Sequence, residues 1–390
     1  MVTANRIRKV AFLSTYPPRE CGLATFTQDL VQALDAYEGL LRTKVIPVSN
    51  GESYDDQRVM TVLAQKDREG YSRLAEELNS SDVDLLVIEH EYGIFGGYCG
   101  EYILDLVKSL QVPVITTLHT VLPNPSFIQR QILTELGAAS AKIITMAQNT
   151  AKILQSVYGI EAAKIEVIPH GVPFRLLEPR DKLKKKNGYA NTNLVVTFGL
   201  ISPGKGLEYG IEAIAQVIKE HPNTLYMILG KTHPCVKNEQ GENYREKLLA
   251  LTRDLGLENH VRFIDKYLTK EEIIYYLWLC DIYLTPYLSK DQAVSGTLAY
   301  AVGCGRVVVS TPYLYAQEIL GDGRGLLAEF RDAGSIAKCI NYVLANPDKK
   351  RDMELKTAKL GQTMLWSAVA SKYCDLFLRL TGTASISAAR

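Results

Sequence analysis

Apolar residues along this chain gather in short unbroken runs, separated by stretches with helical spacing. Val10–Ser14 (VAFLS), Lys44–Val48 (KVIPV), Leu85–Glu89 (LLVIE), Val112–Leu118 (VPVITTL), Lys142–Met146 (KIITM) and Ile165–Pro169 (IEVIP) form a first series of candidate strands. Leu194–Leu200 (LVVTFGL), Leu225–Gly230 (LYMILG), Val261–Ile264 (VRFI), Ile282–Pro286 (IYLTP) and Val307–Thr311 (VVVST) form a second. A run without alternation is apolar on both faces, as a parallel sheet covered by helices on each side requires. Between the series lies Gly171–Thr192 (GVPFRLLEPRDKLKKKNGYANT), charged and bearing Pro and Gly, which reads as an interdomain linker. The pattern predicts an α/β protein with two doubly wound, Rossmann-like domains, residues 1–175 and 190–362. Ligands in such sheets bind at the carboxyl ends of the strands, so the expected site is a cleft across which the domains face each other.

Composition keeps that picture and narrows the partners. The chain has 390 residues, 47% hydrophobic and 22% charged, and its net charge of +1 provides no field to gather nucleic acid or acidic membrane. The most basic run, Arg180–Lys186 (RDKLKKK), reads as a solvated part of the linker. Seven scattered cysteines without CxxC spacing, and six histidines without an HxxxH pair, point to buried thiols in a reducing compartment and to no metal site. The start, MVTANRIRKV, passes into a strand without a signal-peptide core. The most membrane-like stretch, Ile273–Leu288, carries Asp281 and Pro286 and falls short of spanning length. A cytoplasmic, soluble protein is expected, with room for peripheral membrane contact and a frayed TGTASISAAR tail.

Five stretches at strand ends carry candidate chemistry. Pro17–Thr27 (PPRECGLATFT) joins the first strand to a helix, and Gly22 is expected to take a positive φ and admit a ligand to the backbone. Gly199–Gly206 (GLISPGKG) matches GxxxxGK of a phosphate loop, with Gly204 and Lys205 in place and Gly206 where the metal-binding hydroxyl belongs. Gln292–Tyr300 (QAVSGTLAY) reads as a helix start capped by Ser295. Its free N–H groups at Gly296, Thr297 and Leu298 would offer an anion up to about 2 kcal/mol. His119 lies just past a strand in TTLHTVLPNP, placed as a hydrogen-bond donor or proton shuttle. Glu89–Gly97 (EHEYGIFGG) reads as a polar rim or a flexible loop. The DVD at Asp82–Asp84 precedes a strand and reads as a solvated turn.

As an ordered set, these stretches resemble the retaining glycosyltransferases of family 4 (group 1), which have the GT-B fold. The likeness runs over nearly the whole chain. It rests on Cys21-Gly22-Leu23 after the first strand, Thr117-Leu118-His119, Tyr158-Gly159-Ile160 through Lys164–Val172 (KIEVIPHGV), and Gly199-Leu200-Ile201 through Lys205-Gly206. The resemblance implies an acceptor held mainly by the first domain and a nucleotide-diphosphate sugar held mainly by the second. It implies transfer that keeps the anomeric configuration, and no resident cofactor. Trp366 and SAVASKYCDLFLRL fit the family's last helix, 363–382, which crosses back to the first domain. Carried over by position, Lys205 meets the diphosphate with Gly204 beside it, and Gly296–Leu298, behind the cap Ser295, present N–H groups to it or to the donor sugar. His119 touches the transferring sugar and Gly22 the phosphate or acceptor. The acceptor would be a glycan, a lipid or a small molecule.

The chain departs from the family where charge is usual. Counting back from Gly305, the two glutamates of the E-x7-E stretch are Gln292 and Tyr300, and the arginine after the strand-end glycine is Leu200. Gln292 would hydrogen-bond sugar hydroxyls and Tyr300 reach a ribose. Base recognition is expected in the loops with Lys231 and Lys266. Competing readings are a glycoside phosphorylase on the same fold, a non-catalytic nucleotide- or glycan-binding protein, and a P-loop NTPase, the last disfavoured by Gly206.

Overall fold

The computed structural model describes residues 7–174 and 177–382; the expected fraying of the tail beyond 382 lies outside these. The strands are β1 Arg8–Ser14, β2 Leu41–Ser49, β3 Leu63–Ala64, β4 Leu85–His90, β5 Val114–Leu118, β6 Lys142–Thr145, β7 Ile165–Val167, β8 Asn193–Phe198, β9 Thr224–Leu229, β10 Val261–Ile264, β11 Ile282–Thr285, β12 Val307–Ser310 and β13 Gly325–Leu327. They form two sheets of order β3-β2-β1-β4-β5-β6-β7 and β10-β9-β8-β11-β12-β13, and every pairing between named strands is parallel. The strand order reverses between β1 and β4 in one sheet and between β8 and β11 in the other. Each reversal opens a crevice at the carboxyl ends of those strands. β3 and β13, which the pattern does not predict, are short strands beside β2 and β12.

The chain divides into two units. One comprises residues up to Gly171 together with those from Trp366 onward; the other is Val172–Leu365. The first owes its discontinuity to the helix Trp366–Leu380, whose Trp366, Tyr373, Cys374 and Phe377 are buried. Phe377 meets Phe12 of β1 edge-on at 6.1 Å, and Trp366 meets Phe26 at 5.2 Å. A Cβ on Gly171 would fall 2.1 Å from the Trp366 ring, so only glycine lets the chain pass there. In the second unit, Ile211, Ile214 and Val217 of the helix Leu207–Val217 pack with Ile336, Ile340 and Val343 of the helix Ala333–Ala345.

The expected linker is solvated only in part. Arg180–Lys186 is a helix with Leu183 and Lys184 buried, and the whole stretch from Val172 belongs to the second unit. The cause is Asp281, just before β11. Its Oδ2 accepts from Lys184 Nζ at 2.7 Å and Leu194 N at 3.0 Å, and its Oδ1 accepts from Lys350 Nζ at 2.7 Å and Arg180 Nη1 at 3.4 Å. Burial works against its charge, yet the lysines hold its carboxyl down at about 2. The membrane-like stretch resolves into the helix Lys270–Leu279 and β11. No helix among the described residues is long and apolar enough to cross a membrane. Asp84 is not a solvated turn residue either; its carboxylate accepts from Lys9 N at 2.9 Å.

Candidate functional site

In the second unit the loops after β8 and β11 close on each other. Pro203–Lys205 makes one 3-10 turn, and Gly206 ends it in the left-handed region at φ 59°. A Cβ there would lie 2.2 Å from Pro286 O, which explains why no side chain, and no metal-binding hydroxyl, occupies the position. Leu288 N donates to Gly204 O at 3.0 Å and fixes the turn against the chain leaving β11. Lys205 Nζ consequently sits 3.8 Å from the centre of the Tyr287 ring. Among the described residues, no carboxylate comes within ion-pair distance of it. Its charge and burial together lower the half-buried His233, burial being the larger cause. Tyr287 OH shares a hydrogen bond with Thr297 Oγ1 at 2.9 Å, and the ring stacks on Tyr313 at 5.6 Å.

Thr297 belongs to the helix Gly296–Gly303, capped by Ser295, whose Oγ accepts from Leu298 N at 3.3 Å. The expectation of three free N–H groups is corrected there: the cap consumes the one on Leu298. Among the described residues, those of Gly296 and Thr297 meet no acceptor. Gly199, at φ 134°, places its Cβ position 3.5 Å from Thr297 Cγ2, so the β8 loop and the helix start are in contact. Lys205, Ser295, Gly296 and Thr297 are thus brought together, with Gly204 exposed next to the lysine. Leu200 lines the recess beside Lys205. Gln292 Nε2 donates to Val294 O at 3.1 Å, and Tyr300 is 8% exposed on the inner face of its helix. Lys231 lies over the Tyr267 ring at 5.3 Å, while Lys266 is tied to Glu272. The buried Arg245 donates to Gly230 O at 2.8 Å and pairs with Asp265 at 2.7 Å, bracing the ends of β9 and β10.

In the first unit His119 follows β5, and its Nε2 lies 2.8 Å from Glu89 Oε2 at the end of β4. Glu89 is fully buried rather than on a rim, and its other oxygen has no partner among the described residues. A carboxylate facing Nε2 selects the tautomer with hydrogen on that nitrogen and leaves Nδ1 as an acceptor. Phe26 stands edge-on to His119 at 4.8 Å and to His170 at 5.1 Å. Burial depresses His170 to about 4 and, with His119 nearby, His90 to about 3. Gly22 opens the helix Gly22–Leu34 that carries Phe26. It is not in the left-handed region, as expected of it; its Cβ position is instead open, with no atom within 4 Å. The Cys21 thiol caps that helix, accepting from Ala24 N at 3.4 Å. Among the described residues, no three His, Cys, Asp or Glu side chains group closely enough to hold a metal.

Sequence reading missed Glu89 as the partner of His119 and Tyr287 as the link between the lysine and the helix start. Both lie at carboxyl ends of strands, the one signal that pointed toward them.

A family profile described as Glycosyltransferase Family 4 matches residues 22–175, and one described as Glycosyl transferases group 1 matches residues 179–360. A D-inositol 3-phosphate glycosyltransferase of Acidothermus cellulolyticus is 25% identical over 60% of this chain, but the match spans only 54% of that relative. A GDP-mannose-dependent alpha-(1-6)-phosphatidylinositol monomannoside mannosyltransferase of Mycolicibacterium smegmatis is 24% identical over 87% of this chain and 89% of its own length. Among solved structures, HepE of Anabaena in complex with UDP shares the fold at a TM-score of 0.76 and 18% identity, covering 95% of this chain and 100% of that one. Two Rossmann-like units with parallel sheets make the GT-B fold, and with the two profiles matching in sequence order, the chain belongs to the group 1, family 4 glycosyltransferases.

Proposed function

We propose that the protein is a retaining glycosyltransferase that moves a hexosyl unit from a nucleotide-diphosphate sugar to a hydroxyl of a glycan, lipid or small-molecule acceptor. The second unit takes the donor. The carrying observation is that Lys205, with no carboxylate in ion-pair distance among the described residues, rests on the Tyr287 ring, whose hydroxyl meets Thr297 at the helix start. In the transfer the bond from the sugar C1 to the diphosphate oxygen breaks. A bond to the acceptor oxygen forms with the same anomeric configuration, and the acceptor proton passes to the departing diphosphate oxygen. Negative charge grows on the leaving diphosphate, where fixed donors and a cation stabilise it most. Lys205 and the helix start take that role, and catalysis is metal-independent. The first unit takes the acceptor, and His119 accepts a hydrogen bond from a sugar hydroxyl at Nδ1.

HepE is solved with UDP and the mycobacterial relative uses GDP-mannose, so uridine and guanosine donors are the first to try. Thermal unfolding should rise with UDP, GDP or ADP at millimolar concentration, and hydrolysis of the matching sugar nucleotide should follow. No stabilisation by any nucleoside diphosphate would sink the proposal. Stabilisation without turnover of any sugar nucleotide, with or without acceptors, would favour the binding-protein reading that the uncharged Gln292 and Tyr300 suggest. Turnover of a sugar phosphate without nucleotide would favour the phosphorylase.

A further inference from the structure

The lysine on which the donor reading rests is held in an unusual way. A lone cation beside a helix start is repelled by the positive end of that helix, and its flexible stem gives it many other places to go. A carboxylate would fix it but would also neutralise it before any ligand arrived. Here Lys205 rests instead on the face of an uncharged ring, 3.8 Å from its centre. The ring attracts the ammonium through its quadrupole and leaves its charge unspent. Tyr287 is 1% exposed and stacked on Tyr313, so the ring itself is fixed. Its hydroxyl reaches the other half of the site, Thr297 Oγ1, at 2.9 Å, and Thr297 in turn lies 3.2 Å from the capping Ser295 Oγ. Neither contact is predictable from the spacing of the residues along the chain.

We infer that Tyr287 is the positioning residue of the diphosphate site, its ring placing Lys205 and its hydroxyl placing Thr297, so that cation and helix start address one anion. The inference rests on the donor reading. It adds that a neutral aromatic ring, rather than a carboxylate, holds the lysine in place. Affinity for a nucleoside diphosphate should therefore depend on Tyr287 through Lys205, and fall with ionic strength.

Two readouts test it. In protein with isotope-labelled lysine, the Tyr287 ring current should move the Lys205 ε-methylene resonance upfield, with no ligand present. The shift should persist in Tyr287→Phe and vanish in Tyr287→Leu, with Lys205→Ala assigning the signal. The second readout is the affinity of UDP, GDP and inorganic pyrophosphate by calorimetry, at two salt concentrations, in a double-mutant cycle. Lys205→Ala should weaken binding by about tenfold or more in the native background and equally in Tyr287→Phe, but less than about threefold in Tyr287→Leu. Tyr287→Phe and Thr297→Val should each weaken binding, and together no more than either alone. An unshifted lysine resonance in the native protein overturns the inference, as does a Lys205→Ala effect that is the same with and without the ring. If Tyr287→Leu fails to fold, the resonance in the native protein and the Tyr287→Phe, Thr297→Val cycle still decide it. Native protein that binds pyrophosphate but neither nucleotide would refute the nucleotide donor and leave the positioning role standing.

Discussion

His119 is held by a buried carboxylate at one ring nitrogen and an aromatic edge beside it, which leaves one acceptor nitrogen for a ligand. Glu89→Gln should keep the fold but let the ring choose either tautomer, lowering kcat/KM about tenfold or more; an unchanged value would remove Glu89 from the mechanism. Lys205→Ala should weaken nucleoside diphosphate affinity by about 1.5–3 kcal/mol, the usual worth of a charged hydrogen bond, read by titration. The two buried histidines make a prediction in pH. His90 and His170 fall to about 3 and about 4 in the folded chain, below the usual value near 6.5, because burial disfavours the cation. Above pH 6.5 both states are neutral there and stability is full. As pH falls from 6.5 toward 4 the unfolded chain takes up the protons first, and each histidine costs about 1.4 kcal/mol per pH unit. Neither ring nitrogen of His90 has a partner among the described residues, so His90→Phe should make this acid limb shallower in urea titrations; an equal slope would count against it. His119 was legible in the sequence because a strand end announces it. Glu89 was not, because its pairing crosses between neighbouring parallel strands, and no local spacing encodes that register.

Among the elements, the buried parallel strands were legible for a physical reason: both faces are covered, so their sequence is continuous apolar residue. β3 and β13 span two and three residues, too few to show a pattern by themselves; β7 is as short as β13 but was legible inside the longer run Ile165–Pro169. Arg180–Lys186 misled for a different reason. A basic run resembles a solvated segment unless its counter-charge is visible, and Asp281 lies about a hundred positions away in the sequence. That carboxylate joins the helix Arg180–Lys186, the start of β8 and the helix Pro347–Thr363 through Lys350. Removing one partner of a buried ionic group strands the others, so Asp281→Ala should cost about 3–5 kcal/mol in denaturant unfolding. A loss below about 1 kcal/mol would show the cluster to be solvated. The turn at residues 203–206 follows the same lesson. Its GxxxxGK pattern was legible, while the reason for Gly206, the carbonyl of Pro286 pressed against it, belongs to another loop.

For the whole molecule, the two-sheet architecture was readable from the order of the strands, whereas the return of the last helix with Trp366 was an expectation of the family resemblance and of no local pattern, since it depends on which sheet that helix covers. A chain ending at Leu365 should lose cooperative protection of β1, β4 and β5 in hydrogen exchange while β8, β9 and β11 stay protected. Equal protection in the shortened chain would show the last helix to be dispensable. The same connectivity has a consequence for the order of events during synthesis. The second unit is one uninterrupted stretch and can finish as soon as it leaves the ribosome, whereas the larger part of the first emerges before it, without its final layer. Phe12, Phe26 and Thr117 are translated before the second unit, yet their partners Phe377, Trp366 and Tyr373 come after it. The half of the protein that is born first is thus the half completed last, and every nascent chain spends the time of one whole domain with an uncovered apolar face to be shielded.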